Sequence, residues 1–506
     1  ARLCYEEDQP AMPIYWGDLH NHCGISYGYG SLENALTAAQ QQLDFCAVTG
    51  HAMWHDMPSP RPELEFLIGF HRRGFAKLAR DWDRVRQTVE AANAPGRFVT
   101  FQSYEGHSSA YGDHHIVSPS ADLPLLEPTA PAALMERLEV PAIAVPHHIA
   151  YVPGYRGINW DAYDPQASPI VEIYSKHGSG LRDDGPYPYL HTMGPRDGRN
   201  TVHAGLRRGY HFGFVASTDH HAGFPGSYGD GRLAVMAPAK TRDAIWEALL
   251  AQRVYAVTGD KILCRFEVNG APMGAVTSAS EQGLLTLDVT GDDRLDQVVI
   301  YRNAEPWRAL AGEDLRTEAP KGRYKVRLEM GWGRSEEPYI WQGVAHVHDG
   351  TFEGVEGCFR GVSRLAPTAD RTEDPDVNAL RNGILSQEPD RVAWESTTFA
   401  NVSTLHAQTA AIILEIAGDA RTRLDVEANG VRISQTLGEL ARRGVAEHVQ
   451  PWASEALLVH RAVPDVAYRL RGTYPLGRLR PGDTWYVEIR QANAQYAWLS
   501  PVLIAD

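Results

Sequence analysis

Short apolar runs that carry a histidine or a carboxylate at one end most constrain the fold of this chain. There are seven such runs in the first 221 residues. They are Ile14 to His22, Leu43 to His51, Arg97 to Glu105, His114 to Val117, Ala142 to His148, Pro169 to His177 and His211 to His221. Sixteen of the 21 histidines lie at or before His221. The runs predict buried strands whose ends deliver metal-ligand residues to one rim.

Stretches with helical character separate these runs. They are Ser31 to Gln42, Phe70 to Ala92, Pro131 to Leu138, Asn200 to Arg208 and Thr241 to Gln252, the last followed by a short strand predicted at Val254 to Thr258. Alternation of strands and helices predicts a parallel sheet with crossover helices. Repeated seven times, it predicts an α/β fold, a distorted seven-stranded (β/α) barrel with its chemistry at the carboxyl ends of the strands.

From about Cys264 the sequence pattern changes to short runs of alternating β-type residues separated by turn signals, such as Asn269-Gly270. Such spacing predicts a β-sandwich or a pair of sheets, with a helix at Ser434 to Arg443. A chain of 506 residues is also too long for one ordinary core. We therefore predict a catalytic barrel over residues 1–262 and a β-rich, sandwich-like part over residues 263–506.

Charge and hydropathy exclude several classes of partner. The formal charge of −15, without any Lys/Arg-rich run, disfavours nucleic acid. No run approaches the ~18 to 20 apolar residues that span a bilayer, which predicts a soluble protein without a membrane partner. The five cysteines form no CxxC pair and predict no disulfide framework. The first residue is Ala, so both a cytoplasmic protein and one exported after removal of a signal peptide stay open, as does the oligomeric state.

Two pairs of candidate ligands share the same spacing. His20 and His22 stand two residues apart at a strand end, so both side chains point to one face and can hold one ion. Asp219 and His221 repeat this spacing at the end of the last run. With Glu105 at the end of the third run, the pattern predicts a metal centre.

At these residues the chain resembles the PHP (polymerase and histidinol phosphatase) superfamily of metal-dependent phosphoesterases. The matching motifs are His20/His22, Thr49-Gly50-His51, Glu105 and Asp219-His220-His221, and the resemblance covers about the first 260 residues. The segments YWGDLHNH, LDFCAVTGH, VEIYS and VYAVTG are similar to a less characterised PHP-related family that joins this barrel to a C-terminal β domain.

The resemblance implies a first metal held by His20, His22 and Asp219, with Glu105 bridging to a second. The second would take His147 and one histidine of the fourth run. His114 and His115 are adjacent and face opposite ways, so only one should bind; His115 is preferred because Val117 shares its face, with His114 as the alternate.

His51 and His221 would hold a third metal. Here the chain departs from the family pattern, which usually supplies another ligand five or six residues after the second histidine of HxH. This chain has Tyr27 and Gly28 there, and Gly50 where the family usually has an Asp. Two or three divalent ions therefore stay open, and the mixed donors fit Zn, Mn or Fe.

A multinuclear centre of this kind predicts a metal-dependent hydrolase, because a bridged pair of cations activates water and clamps the reacting oxygens. We expect a phosphoesterase that acts through a metal-bound hydroxide on an anionic small molecule, a phosphate mono- or diester. One alternative is hydrolysis of a non-phosphate bond, such as an ester, amide, lactone or sulfate, in a glycan-derived substrate. Another is a metal-stabilised binding protein without catalysis.

Three residues of the sixth run are candidates for substrate contact or proton delivery. Glu172 lies within the predicted strand, and Lys176 and His177 follow at its end. A histidine or lysine beside metal can titrate near neutrality. We predict a catalytic role for this group.

Overall fold

The computed structural model describes residues 12–62, 64–127, 130–189, 196–315, 322–333, 338–362, 381–400, 408–452 and 454–506. Its N-terminal strands are β1 (Ile14–Asp18), β2 (Phe45–Ala47), β3 (Gly50–Trp54), β4 (Val99–His107), β5 (His114–Ser118), β6 (Ile143–Pro146), β7 (Ile170–Ser175), β8 (Gly178–Ser179), β9 (Gly213–Ala216), β10 (Arg232–Met236) and β11 (Val254–Val257). The helices among them are α1 (Leu32–Gln40), α2 (Glu65–Ala91), α3 (Pro131–Arg137), α4 (Val202–Arg207) and α5 (Arg242–Leu250).

Each of the seven apolar runs overlaps a strand, and each predicted helical stretch overlaps a helix, although α2 begins at Glu65, before the predicted start at Phe70. Ser31 caps α1, since its side chain accepts a hydrogen bond of 3.2 Å from the Asn34 backbone N–H. All nine residues of β4 are buried, as expected of a strand covered on both faces. The prediction of an α/β fold rich in strands is confirmed.

The direction of pairing differs from the prediction. β1, β2, β3 and β4 pair in parallel, but β4–β5 and β5–β6 are antiparallel. The reason is visible between β4 and β5, where a connection of residues 108–113 is too short for a crossover helix. β7 and β9 pair in parallel with each other in a separate small sheet with β8. The structure therefore does not show one continuous seven-stranded barrel.

An isolated bridge and several backbone hydrogen bonds link the two sheets at the rim. Asn21 and His220 form an isolated parallel bridge, and the Asp219 N–H donates a 2.7 Å hydrogen bond to the His20 carbonyl. At the other side the Ala144 N–H donates to the Ala167 carbonyl. The segments that follow β1 and β9 thus run side by side and bring their polar residues together.

The C-terminal strands are β12 (Leu263–Val268), β13 (Ala271–Pro272), β14 (Val276–Ser278), β15 (Ser280–Thr290), β16 (Leu295–Arg302), β17 (Glu305–Ala311), β18 (Arg323–Gly331), β19 (Tyr339–His348), β20 (Thr351–Cys358), β21 (Gly383–Gln387), β22 (Arg391–Thr398), β23 (Ala410–Ala417), β24 (Arg423–Ala428), β25 (Val431–Thr436), β26 (Val445–His448), β27 (Ala456–Val459), β28 (Val463–Pro464), β29 (Arg469–Leu479), β30 (Thr484–Gln491), β31 (Tyr496–Leu499) and β32 (Val502–Ala505). Two short helices, α6 (Leu437–Leu440) and α7 (Asp465–Tyr468), interrupt them.

Two of the C-terminal sheets share one core. Their strand orders are β20-β23-β18-β27-β26 and β21-β22-β19-β24-β25. Leu328 and Ile412 from the first sheet belong to the same buried cluster as Trp341 and Trp394 from the second. Packing of this kind is that of a β-sandwich.

Another part of the C-terminal strands joins the N-terminal sheet. β31 pairs antiparallel with β11, with Tyr255 opposite Leu499, and β30 and β32 extend the same sheet. The division of the chain at residue 262 stays a prediction, and this ladder crosses it. Four cysteines are buried free thiols, and Cys4 lies outside the described residues. Within the described residues, no helix is both long and apolar enough to cross a membrane.

Near this ladder, the buried carboxylate of Asp260 forms hydrogen bonds to residues of both the N-terminal and the C-terminal parts of the chain. Asp260 Oδ1 accepts hydrogen bonds from Arg327 Nη2 at 2.6 Å and from the Tyr228 hydroxyl at 2.7 Å. Its Oδ2 accepts from the side-chain amides of Gln491 and Asn493, both at 2.7 Å. Burial would raise the pKa of Asp260, but Arg327 and the other donors lower it below its usual value.

Replacing Asp260 with alanine should lower the free energy of unfolding by about 3–5 kcal/mol, because Arg327 would keep a buried charge without its partner. The urea midpoint of the two proteins measures this loss. Because the folded pKa of Asp260 is depressed, its contribution is present above about pH 4 and disappears as the pH falls further. Asp288→Ala is the matched control, since its pair with Arg471 is exposed and should contribute less than about 1 kcal/mol. Equal losses in both variants would contradict this account.

Candidate metal centre

The common rim of the two N-terminal sheets gathers ligand-type side chains from five strands or from the residues just after them. His20 and His22 follow β1, Glu105 lies near the end of β4, and Asp219 follows β9. Because β5 runs antiparallel to β4, its first residues reach the same rim, with His115 directly opposite Glu105. β6 ends at Pro146, and the next residue is His147. The pairing directions thus explain how a strand start and several strand ends meet at one place.

His20, His22 and Asp219 form the first group. His22 Nε2 lies 3.2 Å from His20 Nε2 and 3.0 Å from Asp219 Oδ1, and His20 Nε2 lies 3.5 Å from the same oxygen. Ligand atoms about 2.0–2.1 Å from one zinc ion in a tetrahedral arrangement lie about 3.3 Å apart. The three atoms therefore have the mutual separations of ligands around a single ion.

Glu105 lies at the centre of the cluster. Its Oε2 lies 3.3 Å from His51 Nε2, 3.4 Å from His22 Nε2 and 3.7 Å from His20 Nε2. Its Oε1 lies 3.0 Å from His147 Nε2. Burial would raise the pKa of Glu105, but the surrounding histidines lower it well below its usual value. The two oxygens face different histidines, which is the arrangement of a bridging carboxylate.

Two further groups flank Glu105. The first is His20, His115 and His147, and the second is His22, His51 and His221. Of the adjacent pair in β5, His115 belongs to the cluster, whereas His114 turns aside and its Nδ1 lies 2.9 Å from the Gly112 carbonyl oxygen. The preference for His115 as a ligand stays a prediction.

The donor set fits divalent transition metals. Burial lowers the pKa of His22, His51, His115, His147 and His221, which keeps these imidazoles neutral and leaves each a nitrogen lone pair. Within the described residues, His22 Nδ1 and His115 Nε2 have no hydrogen-bond partner although both are buried. Neutral nitrogen donors mixed with carboxylates suit Zn, Mn or Fe better than Ca. These residues therefore fit the ions that the sequence predicts.

Glu172 contacts the Nδ1 edge of the His20 ring, which is the edge that faces away from the cluster. Its Oε2 lies 3.0 Å from His20 Nδ1, and an Nδ1–H donated to this carboxylate leaves the Nε2 lone pair facing the cluster. Burial raises the pKa of Glu172 to about 7. Burial alone would lower the pKa of His20, but Glu172 and Asp219 raise it well above its usual value. The structure thus places Glu172 as a residue that orients a candidate ligand.

Replacing Glu172 with glutamine should weaken metal affinity by about 10–100-fold, because the amide orients the His20 ring less strongly than the carboxylate. Competition with a chromophoric chelator measures the change. Glu488→Gln is a suitable control, since this buried carboxylate pairs with Arg182 instead. Unchanged affinity in Glu172→Gln would show that the carboxylate does not support the centre.

Lys176 contacts another candidate ligand. Its Nζ lies 2.9 Å from His221 Nδ1, which also lies 2.8 Å from the Asp219 carbonyl oxygen. One nitrogen cannot accept from an ammonium and donate to a carbonyl at the same time. Donation to the carbonyl leaves the Nε2 lone pair of His221 for an ion, whereas acceptance from Lys176 places a proton there. The catalytic role expected of Lys176 stays a prediction.

Tyr27 and Gly50 stand where the family pattern usually has metal ligands, and the structure shows what surrounds each of them. The Tyr27 ring stacks on His51 at 3.5 Å between centroids, and its hydroxyl lies 3.3 Å from His107 Nε2. A Cβ on Gly50 would lie 2.7 Å from a methyl group of Leu78 in α2, so a side chain there would require Leu78 to move. Tyr27 therefore covers the His22, His51 and His221 group with its ring and directs its oxygen elsewhere.

Two histidines of the cluster, His107 and His148, were not among the candidate site residues of the sequence interpretation. His107 forms a group with His51 and Glu105, and the Glu105/His107 pair has the same two-residue spacing as HxH, which is the signal that was available. His148 and His177 form a group with Asp219. Strand alternation predicts that His148 turns away, but β6 has already ended and His148 has a left-handed backbone, with φ at 49°. His177 was expected at the site as a catalytic residue.

No family model matches the chain. It is 28% identical to an uncharacterised protein of Chlamydia pneumoniae over 333 residues, which covers 60% of this chain and 49% of that protein. Uncharacterised proteins of Chlamydia trachomatis and Chlamydia muridarum match at 26% and 25% identity and are covered over 39% and 51% of their length. The chain thus spans about half the length of the curated relatives it matches. A solved two-domain protein from Bacteroides vulgatus, described as containing a predicted PHP-like metal-dependent phosphoesterase, matches with a TM-score of 0.33 and 14% identity over 60% of this chain and 83% of that one.

Proposed function

We propose that the chain is a metal-dependent hydrolase whose substrate is a small-molecule phosphate ester. The observation that carries this proposal is the position of Glu105 between two histidine groups. Its Oε2 faces His20 and His22, and its Oε1 faces His147. A carboxylate so placed can hold two cations close together, and the remaining histidines supply neutral nitrogen donors on each side.

Divalent cations held by these residues would lower the pKa of a bound water and would stabilise negative charge on the reacting oxygens. The chain's own residues have three tasks around them. His20, His22 and Asp219 hold one side of the centre, and His115 and His147 hold the other. Glu172 fixes the His20 ring through Nδ1, so that its Nε2 stays directed at the centre.

Burial of the cluster supports a further task, which is to limit the access of bulk water. His20, His115 and His147 are at most 1% exposed, and Glu105 and Asp219 are 2% exposed. In such surroundings electrostatic interactions with an anionic substrate are stronger than in water. His221 and His114 are slightly more accessible than these residues, at 6% and 7% exposed.

The test combines metal content with a substrate panel. The full chain is purified without chelator, its metal is counted by elemental mass spectrometry, and 4-nitrophenyl phosphate, bis(4-nitrophenyl) phosphate, 4-nitrophenyl sulfate and 4-nitrophenyl acetate are offered. We expect phosphate-ester hydrolysis that chelation abolishes and that Zn²⁺, Mn²⁺ or Fe²⁺ restores. Turnover of the acetate or sulfate alone would favour the non-phosphate alternative. Retention of metal without turnover of any ester would favour a binding protein.

A further inference from the structure

The two oxygens of Asp219 face different sets of histidines. Oδ1 lies 3.0 Å from His22 Nε2 and 3.5 Å from His20 Nε2, within the first group. Oδ2 lies 2.8 Å from His177 Nε2 and 3.1 Å from His148 Nε2. The group of His148, His177 and Asp219 does not include Glu105, so Asp219 connects the Glu105 cluster to a second group of nitrogen donors.

Backbone conformation and ring geometry orient this second set. His148 and Asp219 both have a left-handed backbone, each with φ at 49°, which non-glycine residues seldom adopt unless their surroundings enforce it. His177 follows β7, and its backbone N–H donates a hydrogen bond of 3.3 Å to the Ser175 hydroxyl. The His148 and His177 rings are nearly perpendicular, at 87°, with centroids 4.6 Å apart. Both rings thus present a nitrogen edge to the same oxygen.

The three residues have the composition and separations of a divalent metal site. All are buried, at 3% exposure for the two histidines and 2% for Asp219. The distances of 2.8 and 3.1 Å fall near those between neighbouring ligands of one ion with bonds of about 2.0–2.2 Å. Two histidines and one carboxylate are also a common set of three protein ligands in zinc sites that keep a position open.

We propose that His148, His177 and Asp219 Oδ2 hold a further divalent cation, of the Zn²⁺ class, in addition to the ions of the Glu105 cluster. The site is on the opposite side of Asp219 from His22. The motif resemblance implies no ion at this position. On the other side of the centre, Tyr27 and Gly50 stand where the family usually has ligands, so the His51/His221 group has no carboxylate of its own. The inference rests on the proposed metal centre for the remaining ions, but not on its catalytic activity.

The alternative is that both histidines only donate hydrogen bonds to Asp219. Glutamine separates the two possibilities, because its side-chain amide still donates a hydrogen bond but is a poor ligand for Zn²⁺. The variants are therefore His148→Gln and His177→Gln in the full chain. His203→Gln is the matched control, a buried histidine whose Nε2 lies 2.7 Å from the Tyr486 hydroxyl.

Each protein is stripped with chelator, reconstituted with Zn²⁺, freed of excess ion by gel filtration and analysed by elemental mass spectrometry. We expect His148→Gln and His177→Gln to retain one Zn²⁺ fewer per chain than the wild type, and His203→Gln to retain the wild-type number. Circular dichroism and thermal unfolding of the stripped proteins should show that all four fold alike. If one glutamine variant does not fold, the number of Zn²⁺ ions retained by the other glutamine variant decides between the two possibilities.

The wild-type number of ions in both glutamine variants would overturn the proposal, as would simultaneous loss of every ion. A wild type that takes up no Zn²⁺ would overturn both this site and the Glu105 centre. Loss of one ion in the glutamine variants, together with a wild type that hydrolyses no ester, would support this site and overturn only the proposed function. The metal count therefore tests this site, and turnover separately tests the proposed function.

Discussion

Asp219→Ala is expected to lower kcat/KM for the phosphate ester by more than about 100-fold and to reduce the metal content of the protein. The carboxylate touches His20 and His22 through one oxygen and His148 and His177 through the other. Its removal takes a ligand from the first group and leaves two sets of buried histidines without their shared anion. Replacing a residue that only orients a metal ligand typically costs 10–100-fold in metal affinity or activity. The loss of a ligand that two groups share should therefore cost more.

The measurement pairs kinetics with elemental mass spectrometry on the same preparation. Asp465→Ala is the matched control, because this aspartate is also 2% exposed but lies in α7 of the C-terminal part. We expect the control to keep wild-type metal content and kcat/KM. Wild-type turnover and metal content in Asp219→Ala would refute the assignment of the centre.

The second large effect is expected for Glu105→Gln, which should lose two metal equivalents together. Glutamine has the shape of glutamate, but its amide group carries no charge and can ligate through only one atom. Since Glu105 faces His22 and His51 with one oxygen and His147 with the other, the substitution weakens both sides of the bridge. Turnover should fall with the metal, because bridged cations act as a unit.

Metal counting after reconstitution at several Zn²⁺ concentrations tests this coupling. Ser103→Ala is the control, a buried substitution two residues earlier on the same strand and face. Release of a single equivalent, with the other retained at wild-type affinity, would show that Glu105 is a ligand of one ion and not a bridge.

Much of the site could be predicted from spacing alone. A two-residue step along a strand returns a side chain to the same face, and this step relates His20 to His22 and Asp219 to His221. The structure brings these four residues together with Glu105. The same rule also relates Glu105 to His107, a pair that becomes visible only when β4 is known to continue to His107.

The rule failed where the backbone left the strand. His148 follows β6, and its positive φ turns the ring toward Asp219 instead of away from it. Local sequence does not reveal such a turn, because a histidine in a left-handed conformation depends on contacts from distant segments. His177 and Asp219, which provide those contacts, are 29 and 71 residues further along the chain.

Strand positions were predictable, but their partners were not. The alternating and apolar runs identify β4, β5 and β6, whereas the antiparallel direction of β5 follows from the length of residues 108–113. Pairing of β11 with β31 joins segments about 240 residues apart, and nothing near Val254 or Leu499 specifies the other. Long-range pairing of this kind is set by the whole core and not by local pattern.

The β11–β31 ladder ties the candidate metal centre to the C-terminal strands. A fragment that stops at residue 262 would leave β11 with a row of unpaired backbone N–H and C=O groups, an edge that recruits other chains. It would also remove Tyr486 and Trp498 from the core that they share with Val171 and Phe214, next to the strands that carry His177 and Asp219. The strands that carry the candidate ligands are therefore packed against strands from a distant part of the chain, and we expect metal binding to require both parts to be folded together.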